Sequence, residues 1–435
     1  MPLLDDLRTA RRLVTNAYRA RRRRREAELR FRALPELGPG EAEILVHFAD
    51  ASVNLYQLRQ WFAPLAELAR IHPVVIVART PRTALALLEE SPIPVRYLRT
   101  MGEIERFVDR HRPRITLYVN QNVRNFQMFR TGEMWHVFIN HGESDKAYMR
   151  SNQHKAYDYA FVAGQAARDR LRASLWDYDV DRRTIMIGRP QADHFAGEPP
   201  YAADGRIVVF YAPTWEGDRP TMTYGSIASH GVALAEAVLA SPRHRLVYRP
   251  HPRSGINDRA YREANRRIVE AIERANAADP SARHVYDDGP VLGWQLAASD
   301  VAITDISAMV YDRLATGRPI IVTRPASPEA QVDETGFLGA AEWLRAEEAP
   351  DVLAHVDRVL NDPAAVESLR HWSEHHFGDT TPGAATARFH AAIEQLLAEW
   401  ERQAALHPHE EHVSSSDPLD DEDDDEGLPA EAQED

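Results

Sequence analysis

The sequence predicts an α/β fold of two domains in tandem, each built on a parallel sheet with helices on both faces. Short runs rich in Val and Ile alternate with amphipathic segments along most of the 435 residues, which is the pattern of βα units. A loop at 188–205, rich in Pro, Gly and Asp, interrupts this alternation before it starts again. Polar clusters follow apolar runs in both halves, where ligands bind in open α/β sheets.

The first domain is expected at 38–195. Val- and Ile-rich runs bounded by turn residues predict its strands, and apolar residues at helical spacing predict its helices. The strands are expected at 44–46, 74–77, 95–98, 115–119, 137–139, 159–162 and 185–187, and helices at 53–70 and 82–90.

The second domain is expected at 196–408, and we assign the closing helices of the chain to it. The same patterns predict strands at 207–210, 246–248, 285–286, 301–303 and 320–322, and helices at 258–276, 364–376 and 384–404. Two βα domains with polar strand ends predict a cleft between them.

The two ends of the chain carry opposite charge. Residues 1–32 hold eleven Arg and four acidic residues, and 409–435 hold thirteen acidic residues without Lys or Arg. We predict a basic arm and linker at 1–37, with an amphipathic helix at 3–25, and a disordered acidic tail at 409–435. The helix suits an anionic membrane surface; a solvated helix or disordered arm is the alternative. Without an aromatic platform, nucleic-acid binding is not expected.

Composition excludes several classes of function. The chain has no cysteine, so thiolate metal sites are excluded, and it has no apolar stretch of membrane-spanning length. It also lacks the glycine motifs of dinucleotide oxidoreductases and P-loop NTPases. We expect a cytoplasmic protein. Of 52 basic residues only Lys146 and Lys155 are lysines. Because an ammonium is a compact point charge, Lys146 is a candidate phosphate-binding residue.

His141 is the candidate general base. It follows the strand at 137–139 and precedes Gly142, which permits close approach of a substrate. Histidine titrates near neutral pH and can therefore accept a proton from a hydroxyl group. The alternative is a structural histidine that caps a turn.

His251 is the second candidate. It lies between two prolines after the strand at 246–248, with Arg249 and Arg253 on either side. The prolines fix the backbone, so we predict a rigid cationic site for an anionic ligand. The alternative is a proline-stiffened loop.

The segment Thr304-Asp305-Ile306-Ser307 follows the strand at 301–303, and its polar residues Thr304, Asp305 and Ser307 are candidates for binding a phosphate-bearing donor. Ser307 is predicted to open a helix whose free N–H groups suit phosphate, although these residue types are also ordinary N-caps. Asp312, one turn later, is a candidate hydrogen-bond acceptor. Thr214 is a candidate ligand contact, and the neighbouring Trp215 suits either the core or a stacking contact. No metal site is expected: Asp177-Tyr178-Asp179 lies in a polar loop without a preceding strand.

Four motifs in order resemble the CDP-glycerol glycerophosphotransferases, the teichoic-acid primases and polymerases, over roughly residues 130–325. The motifs are His141-Gly142 with Lys146, Tyr211-Ala212-Pro213-Thr214-Trp215, Arg249-Pro250-His251-Pro252, and Thr304-Asp305-Ile306-Ser307 with Asp312 and Pro319-Ile320-Ile321. Three departures from the family pattern are Asn140 before His141, Ala308 after Ser307, and Glu216-Gly217-Asp218 after Trp215.

The resemblance implies two Rossmann-like domains in a glycosyltransferase-B-type fold and association with the inner face of the cell membrane. It also implies transfer of a polyol phosphate, most simply glycerol phosphate, from a CDP donor to an envelope polymer or lipid-linked acceptor, without metal or cofactor. In such a transfer the cationic site of Arg249, His251 and Arg253 would bind the pyrophosphate, with His251 as a catalytic residue that protonates or hydrogen-bonds the leaving phosphate. Asp312 would accept from the ribose hydroxyls, and Thr214 would contact the nucleotide. Two alternatives remain: a glycosyltransferase of the same fold that uses a nucleotide-sugar, and a non-catalytic membrane scaffold. The sequence leaves the polyol, the acceptor and the oligomeric state open.

Overall fold

The chain folds around two parallel sheets, as predicted. The structure, a computed structural model, describes residues 2–143, 147–217, 219–289 and 292–407. Within them one sheet has seven strands and the other has six. The predicted α/β class with two Rossmann-like domains is therefore confirmed. Lys146 and the acidic tail expected at 409–435 lie outside the described residues.

The first sheet has the strand order β3-β2-β1-β4-β5-β6-β7. Every residue of β1, β2 and β4 is buried, as expected for parallel strands covered on both faces. The strands are β1 (Ile44–Phe48), β2 (Val74–Ala78), β3 (Val95–Tyr97), β4 (Ile115–Tyr118), β5 (Trp135–Phe138), β6 (Tyr159–Val162) and β7 (Thr184–Met186). The helices are α1 (Pro2–Arg32), α2 (Leu55–Arg59), α3 (Phe62–Leu68), α4 (Pro81–Glu90), α5 (Met101–His111), α6 (Asn125–Met128), α7 (Gln165–Ser174) and α8 (Val180–Arg183).

The second sheet has the order β10-β9-β8-β11-β12-β13. Its last strand was not predicted, because a three-residue edge strand shows no apolar run. The strands are β8 (Ile207–Ala212), β9 (His244–Tyr248), β10 (Val285–Tyr286), β11 (Val301–Thr304), β12 (Ile320–Thr323) and β13 (Glu342–Leu344). The helices are α9 (Val232–Leu239), α10 (Arg259–Ala278), α11 (Trp294–Ala298), α12 (Ala308–Leu314), α13 (Val352–Asn361), α14 (Pro363–Phe377) and α15 (Ala384–Leu406).

The last described helix, α15, returns to the first domain, which corrects the expectation that all closing helices belong to the second. Phe389 and Ile393 of α15 are fully buried in the same core cluster as Trp61. The Trp135 indole at the start of β5 donates to the Leu396 carbonyl at 3.0 Å. The first domain is therefore discontinuous in sequence, and the chain crosses between the domains twice.

The basic helix α1 is longer than predicted, and its last turns pack on the first domain. Ala27 is fully buried, and the Phe31 ring lies 6.0 Å from the ring of Tyr97. Arg30 forms an ion pair of 3.0 Å with Glu89. The arm is therefore shorter than 1–37, because 27–32 belong to the folded domain. Within the described residues, no helix combines the length and apolar composition needed to cross a bilayer.

Candidate active site

The carboxyl edges of the two sheets meet at a buried ion pair. Arg189 follows β7 of the first sheet, and Asp312 lies in α12, directly after β11 of the second. Arg189 Nη2 contacts Asp312 Oδ1, and each residue is only 8% exposed. The polar residues at the strand ends of the two domains therefore meet along one interdomain seam, marked by Arg189 and Asp312.

The turn after β5 presents His141. Asn140 adopts φ +53°, a left-handed conformation that asparagine tolerates better than most residues. Its amide donates to the Gly142 carbonyl at 2.6 Å, and its own carbonyl accepts from the Trp61 indole. Asn140, which departs from the family pattern, thus has a local role in shaping this turn.

The surroundings of His141 define its neutral tautomer. Nδ1 lies 3.2 Å from the Val119 carbonyl oxygen at the end of β4. A carbonyl only accepts, so Nδ1 carries the hydrogen and the lone pair lies on Nε2, an assignment made from the hydrogen-bond partner. The ring is half-buried, with its centroid 6.0 Å from that of Tyr56 in an edge arrangement. This is the form that a general base requires.

His251 has the opposite tautomer. The backbone N–H of Arg253 donates to His251 Nδ1 at 3.1 Å, so in the neutral ring the hydrogen lies on Nε2. Burial lowers the pKa of His251, the Arg253 guanidinium lowers it further, and Glu216 opposes both. The lowered pKa favours a neutral imidazole that donates through Nε2.

Glu216, which the sequence analysis did not select, holds the loop that carries His251. Its carboxylate accepts from the backbone N–H groups of Gly255, Asn257 and Asp258 at 2.9, 3.0 and 3.1 Å. Burial alone would raise the pKa of Glu216, but these N–H donors lower it. Gly255 has φ +77°, and a Cβ there would lie 2.8 Å from Arg262 Cα, so glycine is required.

Asp305 positions the site rather than facing a ligand, which corrects its expected role in donor binding. It is fully buried and accepts from the N–H groups of Thr214 and Ser226 at 2.7 and 3.0 Å. It also accepts from the Thr323 hydroxyl at 2.6 Å. Thr304 is fully buried in β11, so the expectation that Thr304 contacts the donor directly is corrected as well. Thr214 keeps a partly exposed side chain.

Arg249 also has a different role from the one expected. Its guanidinium donates to the Asp287 carboxylate at 2.6 Å and to the Gly289 carbonyl at 2.8 Å, which ties the exits of β9 and β10 together. Direct phosphate binding would require this pair to open. Arg253 is exposed, and its guanidinium lies 3.9 Å from the ring centre of Trp215. Arg253 therefore covers a face of Trp215 that base stacking would need.

Ser307 caps α12, as its residue type predicts. Its hydroxyl oxygen accepts from the Met309 N–H at 3.2 Å, which leaves the hydroxyl hydrogen available as a donor. Asp312 faces Arg189 instead of an open ribose site, and this corrects its expected role. Burial raises the pKa of Asp312, and Arg189 opposes that effect.

The two carboxylates of Asp177-Tyr178-Asp179, a motif typical of metal-dependent glycosyltransferases, lie away from the candidate active site. Asp177 and Asp179 stand between α7 and β7, at the amino edge of the first sheet. Asp179 accepts from the Arg182 N–H at 3.1 Å as a helix cap. Across residues 2–143, 147–217, 219–289 and 292–407, no group of three or more His, Asp or Glu is arranged to hold a metal ion.

The stretch that carries both histidines matches a known family. Residues 138–328 match the family described as CDP-glycerol:poly(glycerophosphate) glycerophosphotransferase. The match covers somewhat less than half of the chain, and over this region the chain is similar to that family. The matched family is a family of enzymes, which argues against the non-catalytic scaffold. A search of curated proteins returns no match for the chain.

Solved structures share the fold of this chain. The wall teichoic acid polymerase TagF is 12% identical, with a TM-score of 0.52 over 92% of this chain and 98% of that chain. The UDP-GlcNAc 2-epimerase from Neisseria meningitidis, bound to UDP-GlcNAc, is 13% identical, with a TM-score of 0.54 over 82% of this chain and 100% of that chain. At these identities the likeness establishes the two-domain, glycosyltransferase-B-type fold.

The buried carboxyl group of Asp305 is expected to make the free energy of unfolding depend on pH. Burial raises its pKa from 3.8 to about 6, although hydrogen bonds from Ser226, Thr323 and Thr214 oppose the rise. The folded state therefore holds this proton more tightly. The stabilisation is complete below 3.8 and is lost as the pH rises through about 6. This loss amounts to roughly 3 kcal/mol.

Asp305→Asn retains an oxygen that accepts from the same N–H groups but does not titrate. Between pH 4 and pH 7, the free energy of unfolding of wild type minus that of the variant should fall by about 2 kcal/mol, most of the full change. Urea unfolding of both proteins at a series of pH values measures this difference. Parallel pH profiles would show that Asp305 is already ionised at pH 4.

Proposed function

We propose that this chain transfers a polyol phosphate, glycerol phosphate in the first instance, from a CDP-activated donor to a hydroxyl of an envelope polymer or lipid-linked acceptor. The observation that carries the proposal is the family match over 138–328. That region contains the turn with His141, the loop with His251 and the cap Ser307. The description of the family supports CDP-glycerol as donor and poly(glycerophosphate) as acceptor.

In the proposed reaction, His141 Nε2 removes the proton of the acceptor hydroxyl. The hydroxyl oxygen then attacks the phosphorus that bears glycerol, a new P–O bond forms, and the bond to the CMP phosphate oxygen breaks. CMP leaves with the bonding electron pair. The lone pair on Nε2, assigned through the contact of Nδ1 with Val119, supports this role for His141.

The donor phosphates are assigned to the second domain. His251 Nε2–H donates to the leaving phosphate, and the Ser307 hydroxyl donates to a phosphate oxygen. Both donors fit charge developing on the leaving group. Arg253 and Thr214 flank this position, and we retain Lys146 as a phosphate-binding candidate because of its motif spacing. Arg249 and Asp305 act by positioning these groups.

Measuring which donor binds distinguishes polyol-phosphate transfer from the alternative, glycosyl transfer from a nucleotide-sugar. The alternative is worth testing because the chain shares its fold with a UDP-GlcNAc 2-epimerase. Calorimetric titration of the full chain should show affinity for CDP-glycerol or CDP-ribitol and much weaker affinity for UDP-GlcNAc and GDP-mannose. Preferential binding of a nucleotide-sugar would replace the proposed function with glycosyl transfer.

We expect the reaction to proceed without a metal ion. The proposed site stabilises phosphate charge with Arg253, Lys146 and neutral hydrogen-bond donors instead of carboxylate-bound metal. Activity measured with excess EDTA should remain within about twofold of the untreated rate, since no step assigned to these groups requires a metal. Loss of activity with EDTA, and its rescue by magnesium or manganese, would contradict this mechanism.

We assign membrane-surface binding to the exposed part of α1. Arg19, Arg21, Arg22 and Arg25 are exposed, and each arginine near an anionic surface contributes about 1 kcal/mol. Deletion of 2–20 together with reversal of Arg21, Arg22 and Arg25 to Glu should abolish sedimentation with anionic vesicles. Activity on a soluble acceptor should persist, because Ala27 and Phe31 remain packed.

Neutral vesicles and added salt are the controls for this experiment. Binding should fade with salt because charge interactions are screened over about 10 Å at 0.1 M. If the altered protein still sediments with anionic vesicles, a surface other than α1 binds the membrane.

A further inference from the structure

Arg189 is a buried cation whose hydrogen-bonding capacity is only partly used. Its residue exposure is 8%, and Nη2 forms the ion pair with Asp312. Within the described part of the chain, Nε and Nη1 have no hydrogen-bond partner. Buried guanidinium N–H groups are normally paired, because leaving them unpaired is costly. Arg189 therefore has buried N–H donors that none of the described residues uses.

These donors lie beside the turn that carries His141. A Cβ added at Gly142 would lie 3.8 Å from both Nη1 and Nη2 of Arg189, so the glycine leaves the guanidinium approachable. Arg189 also lines a cavity of about 50 Å³ together with Asn140, Glu143, His154, Arg170 and Phe377. Glu143 forms an ion pair with Arg170. Arg189 belongs to the same domain as His141, whereas the loop that carries His251 follows β9 of the second domain.

We propose that Arg189 binds the terminal phosphodiester of the acceptor and thereby selects acceptors that already end in glycerol phosphate. A guanidinium is the side chain best matched to a phosphate diester in a buried setting. The inference rests on the proposed function, in which His141 deprotonates the acceptor hydroxyl. In a poly(glycerophosphate) chain, that hydroxyl is separated from the nearest phosphate only by one glycerol unit. Asp312 orients the guanidinium from the opposite domain, and the site favours elongation over priming.

Two matched acceptors separate this role from a structural one. The first is the methyl diester of glycerol 3-phosphate, and the second is 1-O-methylglycerol, which has no phosphate. Arg189→Gln should raise KM for the diester by about tenfold or more, the scale for a hydrogen bond to a charged group. KM for 1-O-methylglycerol and the affinity for CDP should change by less than about twofold, because Arg189 is proposed to contact only the diester. An equal rise in KM for both acceptors, or a loss of CDP affinity, would overturn the proposal.

Asp312→Asn and Arg189→Lys are the companion variants. Asp312→Asn removes the ion pair but keeps the guanidinium, so a preference for the diester should survive. If it abolishes that preference as completely as Arg189→Gln, Arg189 serves only to join the domains. Arg189→Lys keeps the positive charge and should retain part of the preference for the diester. It provides a second test in case Arg189→Gln does not fold.

Diester binding, measured by calorimetry on the CDP-bound protein, needs no turnover. Wild type should bind the diester, and Arg189→Gln should bind it at least about tenfold more weakly. If wild type does not bind it, or if both proteins bind it equally, the assignment of Arg189 is wrong. If wild type binds the diester but does not turn over CDP-glycerol, the proposed function fails while the phosphate site stands.

Discussion

Replacement of His141 by alanine is expected to lower kcat by about 10²-fold or more, the usual contribution of a general base. The imidazole supplies the lone pair that accepts the hydroxyl proton, and no neighbouring group is assigned to replace it. Affinity for CDP should remain close to that of wild type, because His141 follows β5 of the first domain. The measurement is kcat at saturating CDP-glycerol, with CDP affinity determined by calorimetry on the same preparation.

The matched control is His371→Ala, which removes an exposed histidine of α14. It should leave both kcat and CDP affinity unchanged. Retention of kcat within a few-fold of wild type in His141→Ala would remove His141 from the mechanism. Thermal unfolding of each variant separates a catalytic defect from loss of the fold.

The second large effect is expected on donor affinity. His251→Ala and Ser307→Ala should each weaken CDP binding by roughly 1–3 kcal/mol, the cost of losing a hydrogen bond to a charged group. His251→Gln should recover part of the affinity, because its amide keeps an N–H donor. Calorimetric titration of CDP into these variants and into His141→Ala measures the contrast directly.

Ser307 needs its own control because its oxygen caps α12. Ser307→Asn retains a capping group but moves the donor, so it should preserve thermal stability while still weakening CDP binding. If His141→Ala loses CDP affinity and Ser307→Ala retains it, the donor lies on the first domain and the two domains have exchanged roles.

Apolar runs and the periodicity of apolar residues were enough to predict most of the strands and helices. The fully buried strands β1, β2 and β4 are largely apolar in sequence, interrupted only by His47 in β1 and Thr116 in β4. Strand order and the return of α15 could not be obtained in this way, because both depend on contacts between distant segments. The apolar face of α15 that buries Phe389 and Ile393 shows that the helix packs, but does not show against which domain.

The positions of the candidate residues were easier to predict than their roles. His141, His251 and Ser307 all follow strands, as their motifs indicated. Arg249 follows a strand as well, yet its partner is Asp287. Sequence alone does not distinguish an arginine that faces substrate from one that faces a carboxylate 38 residues away.

Two residues outside the selected set turned out to shape the site. Arg189 has the same signature as the selected residues, a polar group between Gly188 and Pro190 directly after a strand, and could have been chosen on that basis. Glu216 carried no such signal, because its three N–H donors come from a loop about forty residues later. In sequence it was visible only as a departure from the family pattern.

The most direct test of the account is product formation by the full chain supplied with CDP-glycerol and a glycerol phosphate acceptor. Phosphorus NMR should show loss of the pyrophosphate signal, release of CMP and growth of a phosphodiester signal that depends on both acceptor and His141. UDP-GlcNAc in place of CDP-glycerol should remain unchanged. Turnover of UDP-GlcNAc with CDP-glycerol untouched would contradict the assignment of the reaction.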